Sequence, residues 1–190
     1  MSNESGPTKV ETGPLGLLCF GLTTVLLSLV NAGILPTGGL ACILPFGLVI
    51  GGFTQCFAGF LQLKEGNTFS FTAFAGYGAF WIWFATMSLW GNLGIVDLAN
   101  AGSTTGTALV LWAIFSFAMW PLTFKMTRYL ACIFTVLWPC FLCLGLCPLL
   151  QSAGFGIAGG YLGLIAGAVA IYGCIADIWN EVLGRKVLPV

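Results

Sequence analysis

The sequence predicts an all-α integral membrane protein, a bundle of six transmembrane helices, and three observations carry that expectation. Of its 190 residues 58% are hydrophobic and only 6% are charged, with a mean hydropathy of +1.01, a balance that no water-soluble domain shows. Turn-forming residues divide the chain into six apolar runs, each near the ~20 residues a helix needs to cross hydrocarbon. The basic residues, finally, all fall at one set of alternate run ends.

The runs extend roughly from Pro14 to Ile34, Gly39 to Leu63, Phe69 to Trp90, Thr107 to Phe124, Arg128 to Leu149 and Gly154 to Ala176. The breaks read LPTGG, KEGNT, GNLGIVDLANAGSTT, KMT and PLLQSAG, rich in Gly, Pro, Asn, Ser and Thr as loops are. Lys9 precedes the first run, Lys64 follows the second, Lys125 and Arg128 bracket the turn between the fourth and fifth, and Arg185 and Lys186 follow the sixth. Six spans put all of these on one side and leave only Asp97 on the other; five or seven would not. The positive-inside rule then places both termini in the cytoplasm. Residues 1–13 are expected as a cytoplasmic tail, 14–179 as the transmembrane domain and 180–190 as a second cytoplasmic tail. The polar start lacks the basic-then-apolar order of a cleaved signal peptide.

In the first run, helical periodicity places Phe20, Thr24, Ser28 and Asn31 within an arc of about 80°, opposite Leu18, Leu22, Val25 and Leu29. A row of hydroxyls and an amide is costly in hydrocarbon, so this strip is expected to face a bundle or a water-filled path. The second run repeats the asymmetry. Gly47, Gly51, Gln55, Gly59 and Gln62 share an arc of about 120° opposite Phe46, Phe53, Phe57 and Phe60, and Gln55 reads equally as interhelical glue or as path lining. The third run is loaded with aromatics. Trp81, Trp83 and Trp90 fit an interfacial belt or a subunit contact, while Tyr77 sits between Gly76 and Gly78 where backbones can come close. Pro139 should kink the fifth run. In the sixth, Gly159, Gly163 and Gly167, with Gly156 and Gly160, form a small-residue seam, and Asp177 and Glu181 continue that face out of the membrane, where Arg or Lys would pair with them.

Composition also excludes function classes. Zero net charge argues against nucleic acid as a partner, and no block of like charge marks head-group recognition. Eight cysteines lie in or beside apolar runs. Cys140, Cys143 and Cys147 share a face, but with no His in the chain they read as packing residues rather than a metal site, and no cofactor is expected. Without His, an activated Ser or a carboxylate pair in the membrane, no enzyme chemistry is expected.

Several motifs together resemble the acetate uptake transporters, also called the succinate-acetate permease family, over Gly13 to Pro189. They are Pro14-Leu15-Gly16-Leu17 with FGLTT and Asn31, Gly51-Gly52 with Gln55 and Phe57-Ala58-Gly59, Gly66-Asn67-Thr68-Phe69, Thr72-Ala73-Phe74, Tyr77-Gly78, Phe80-Trp81, Asn180-Glu181, Gly184-Arg185 and Val187-Leu188-Pro189. The family's first-helix signature begins Asn-Pro-Ala, where this chain has Glu11, Thr12 and Gly13, and a family carboxylate in the second span is matched by Gln62. The resemblance implies a plasma-membrane protein assembled as a ring of six protomers, each with its own path for acetate and related small carboxylates, succinate among them. It also implies a hydrophobic constriction at Phe20, Tyr77 and Leu137.

Acetate is an anion with a methyl group, so a path for it needs hydroxyl and amide donors rather than a full counter-charge. Thr24, Ser28, Asn31, Gln55, Asn67 and Thr68 are the candidates. The competing expectation is a non-transporting membrane scaffold or signalling protein, in which the polar faces only hold helices together.

Overall fold

The computed structural model describes residues 10–190, so Lys9 and the first nine positions of the expected N-terminal tail lie outside the described residues. Six helical segments follow the six apolar runs: α1 Gly13–Asn31, α2 Thr37–Lys64, α3 Thr68–Asn92, α4 Gly102–Thr123, α5 Arg128–Leu149 and α6 Ala153–Val182. Five are both long and apolar enough to span a membrane. α3 has the length, 25 residues, and no charge, but its Trp, Tyr, Gly, Ser and Thr dilute its hydropathy.

α2 changes its winding along its length. A 3-10 turn at Thr37–Gly39 leads into α-helix Leu40–Phe46, then a π-helical stretch Gly47–Thr54, then α-helix Gln55–Lys64. Pro45 withdraws a backbone donor just ahead of the wide coil, one of the recognised causes of such irregularity. The expected faces survive it. Gly47, Gly51, Gln55, Gly59 and Gln62 are buried, whereas Phe53, Phe57 and Phe60 point outward.

The helices run antiparallel in sequence, as their end contacts show. Thr12, ahead of α1, donates its hydroxyl to Glu65 Oε1 at the end of α2 (2.8 Å), and Tyr129 at the start of α5 donates to Asp177 Oδ2 near the end of α6 (2.7 Å). At the opposite end, the last turn of α1 meets Gly160 early in α6, and Gly106 early in α4 meets Gly145 and Pro148 late in α5. α1 packs on α6, α6 on α5, α5 on α4, and α2 on both α1 and α3. Aromatic side chains of α3 then reach α4 and α5, so six helices surround a common interior. The positions that depart from the family signature meet here: Gln62 Nε2 donates to Thr12 Oγ1 at 2.7 Å.

Close approach explains the glycine seam. A methyl group on Gly167 would lie 2.7 Å from Val25 Cγ2 and 2.9 Å from the carbonyl oxygen of Gly21, inside van der Waals contact, so α1 and α6 meet at backbone distance. Val25, expected on the lipid side, therefore faces α6; of the large apolar residues of α1 only Leu15 and Leu22 are exposed. Two further expectations are corrected. Trp81 belongs neither to an interfacial belt nor to a subunit contact but is buried across Gly47 and Gly51, whose missing side chains make its slot. Asp177 takes Tyr129 as its partner, because the α5–α6 packing brings that hydroxyl within reach.

Candidate functional site

Three spaces lie in file between α1, α3, α5 and the start of α6. The first, about 30 Å³, opens among Leu17, Phe69, Ser70, Ala73, Leu130 and Phe134, toward the end that carries Thr12 and Tyr129. The second, about 40 Å³, is walled by Thr24, Leu27, Ser28, Asn31, Cys140 and Leu144, among others. Both have Phe20, Tyr77 and Leu137 in their walls, so these three side chains stand at the partition between them. The second in turn shares Leu27, Asn31, Phe80 and Leu144 with a wide mouth of about 390 Å³ that reaches Cys147, Gly156 and Ile157. Each small chamber has room for a few waters, since one occupies ~10–15 Å³ on this measure.

Packing fixes the partition. Phe20 and Tyr77 have ring centroids 5.8 Å apart at 50°, and Tyr77 is stacked on Phe141 at 6.0 Å and 11°. Leu137 is 2% exposed. Among the described residues this is an apolar, aromatic collar with no charged group in it.

The middle chamber differs from the collar. Thr24, Ser28 and Asn31 line it on successive turns of α1, and none of the three side chains makes a hydrogen bond to another described residue. Neighbouring hydroxyls behave otherwise: Thr23 donates to the carbonyl of Cys19 at 2.7 Å and Thr135 to that of Ala131 at 2.7 Å, the usual back-bond of a hydroxyl in a helix. The absence of a side chain at Gly163 leaves room for the Ser28 hydroxyl between α1 and α6. The Cys140 thiol, also in this wall, donates to the carbonyl of Gly159 (3.2 Å), and among the described residues no group of three metal-ligating side chains gathers. Thr24, Ser28 and Asn31 thus bring two hydroxyls and an amide, unpartnered among the described residues, to the wall of the chamber, with apolar surface beside them.

The structure brings Phe20, Tyr77, Leu137, Thr24, Ser28 and Asn31 together and keeps the other three candidates apart. Gln55 lines none of these spaces; it is fully buried, and its amide finds no partner among the described residues. Asn67 is the N-cap of α3, accepting from Ser70 N–H at 3.0 Å and donating to Gln62 Oε1 at 2.9 Å, and Thr68 is exposed on the first turn. An Asn directly before an apolar run is a capping signal, and here that role prevails. Ser70 in the first chamber and Cys140 in the second were not among the expected lining residues. Both lie on helix faces that sequence spacing alone does not orient.

Known proteins share this architecture. The solved structure of the bacterial acetate channel SatP superposes with a TM-score of 0.91 at 39% identity, covering 96% of this chain and 99% of that one. The succinate-acetate/proton symporter SatP of Escherichia coli K12 is 41% identical over 186 residues, 97% of both chains. Acetate permease A of Emericella nidulans is 32% identical over 192 aligned positions, covering 93% of this chain and 64% of that protein. These relatives are transporters and a channel, not enzymes. Residues 6–187 match the GPR1/FUN34/yaaH family, and this multi-pass, all-helical membrane protein belongs to it.

Proposed function

We propose that the chain is a plasma-membrane channel or permease for acetate and related small carboxylates. The observation that carries this reading is the strip of Thr24, Ser28 and Asn31, whose unpartnered polar groups face a small chamber directly beyond an apolar collar. In crossing the collar formed by Phe20, Tyr77 and Leu137 an anion loses water, and the donors just past it replace part of that hydration. With no Lys or Arg among the described residues that line the chambers, binding stays weak enough for release. The names of the relatives supply the substrate class: a succinate-acetate/proton symporter, an acetate permease and an acetate channel.

Both termini are placed in the cytoplasm, supported by Lys64, Lys125, Arg128, Arg185 and Lys186 at the helix ends on the Thr12 side of the antiparallel bundle. A ring of six protomers is proposed from family kinship, and the outward Phe53, Phe57 and Phe60 of α2 suit a protein or lipid neighbour.

Labelled acetate uptake into proteoliposomes tests the function. Uptake is expected for the wild type, and Ser28→Ala, which removes one donor to a charged group, should lower it roughly tenfold at sub-saturating acetate. No uptake by a folded wild type would favour the scaffold reading instead. Repeating the assay with and without an imposed pH gradient separates a channel from an obligate proton symporter.

A further inference from the structure

Tyr77 is the polar member of the collar, and its hydroxyl is bonded to a residue that lines neither chamber. The hydroxyl lies 2.8 Å from Oγ of that residue, the fully buried Ser116 on α4. Donor and acceptor can be assigned by counting protons. Ser116 has one hydroxyl hydrogen, and it is committed to the carbonyl of Trp112 at 2.7 Å, so Tyr77 donates and Ser116 accepts. Around this bond the surroundings are aromatic: Trp112 stands 5.5 Å from the Tyr77 ring and Phe115 5.9 Å, centroid to centroid.

We infer that Ser116 is a positioning residue for selectivity, tethering the Tyr77 hydroxyl outside the lumen so that the collar presents only ring carbons to what passes. The inference rests on the collar being the constriction of the proposed path. Stacking on Phe141 and a tilted contact with Trp112 limit the tilt of the ring, and the tether limits its swing toward the lumen. Loss of the acceptor leaves a hydroxyl unsatisfied among aromatic rings, an unfavourable state, and the chambers lined by the same ring offer it room to find water. The ring would then move toward that water, altering both the width and the wetness of the collar.

The test is a cycle of Ser116→Ala, Tyr77→Phe and the double variant, with the butyrate-to-acetate uptake ratio measured in proteoliposomes. Ser116→Ala is expected to lower that ratio about fivefold, the factor corresponding to a hydrogen bond of ordinary net strength, because the released ring narrows and wets the collar. In the Tyr77→Phe background, where no hydroxyl needs an acceptor, the same substitution should leave the ratio where Tyr77→Phe set it. A merely structural role for Ser116 would act alike in both backgrounds. An unchanged or raised ratio in a monodisperse Ser116→Ala protein overturns the inference, as does an equal effect in both backgrounds. Acetate uptake by the wild type reports separately on the reading beneath it, so a conducting wild type with an indifferent Ser116→Ala sinks the tether alone.

Discussion

Phe20 is both the first residue of the polar strip on α1 and part of the wall of two chambers, and the two roles have one cause. A helix face that turns hydroxyls toward an interior must also turn there whatever lies one turn earlier. Replacing Phe20 by Ala would join spaces of about 30 and 40 Å³ and admit longer acids. The propionate-to-acetate uptake ratio is expected to rise on the order of tenfold, the discrimination a hydrophobic pocket derives from one methylene. The stability loss should sit near the low end for Phe→Ala, about 3 kcal/mol, because the ring already borders empty space. An unchanged ratio would mean that the narrowest point lies elsewhere. Side chains such as Thr24 and Ser28 were legible from periodicity alone. Gln55 and Asn67 were not, since an amide serves equally as lining, cap or buried packing, and only the neighbours decide.

At the scale of elements, α1 is held at backbone distance by α6. Gly167→Val should push the two helices apart, because the new side chain meets Val25 and the Gly21 carbonyl. The expected cost is about 1–3 kcal/mol, read as a lower melting temperature in detergent. Gly38→Ala is the control: a methyl there meets nothing within 4 Å and should leave melting unchanged. Equal melting of both variants would deny the seam its role. The π-helical stretch of α2 was not visible in the sequence, which shows Pro45 and paired glycines but not how the coil accommodates them. Trp81 was misread for a related reason. Tryptophan favours interfaces on average, yet here Gly47 and Gly51 open a slot for it in the bundle.

For the whole molecule, antiparallel order and the side on which the cations gather make one prediction about orientation. An epitope at the C-terminus should be detected only after permeabilisation, whereas one in the loop around Asp97 should be reached on intact cells; the reverse pattern would overturn the proposed topology. Orientation matters to the mechanism because the path is asymmetric. Its free donors lie between the collar and the wide mouth, on the side away from the basic residues. In the proposed orientation, an acid arriving through the mouth would meet the donors before the collar, and one leaving the cell would meet the collar first.

The sequence by itself determined the number of long helices, their antiparallel order, the polar strip of α1 and the small-residue faces of α2 and α6. These follow from hydropathy and helical period, which act within a single segment. Only the tertiary structure decided that α1, α3 and α5 meet around Phe20, Tyr77 and Leu137, that three chambers lie in file there, and that Ser116 of α4 takes the Tyr77 hydroxyl. Those arrangements join residues tens of positions apart, and the register at which helices pack is set by interlocking side chains rather than by the pattern within any one of them.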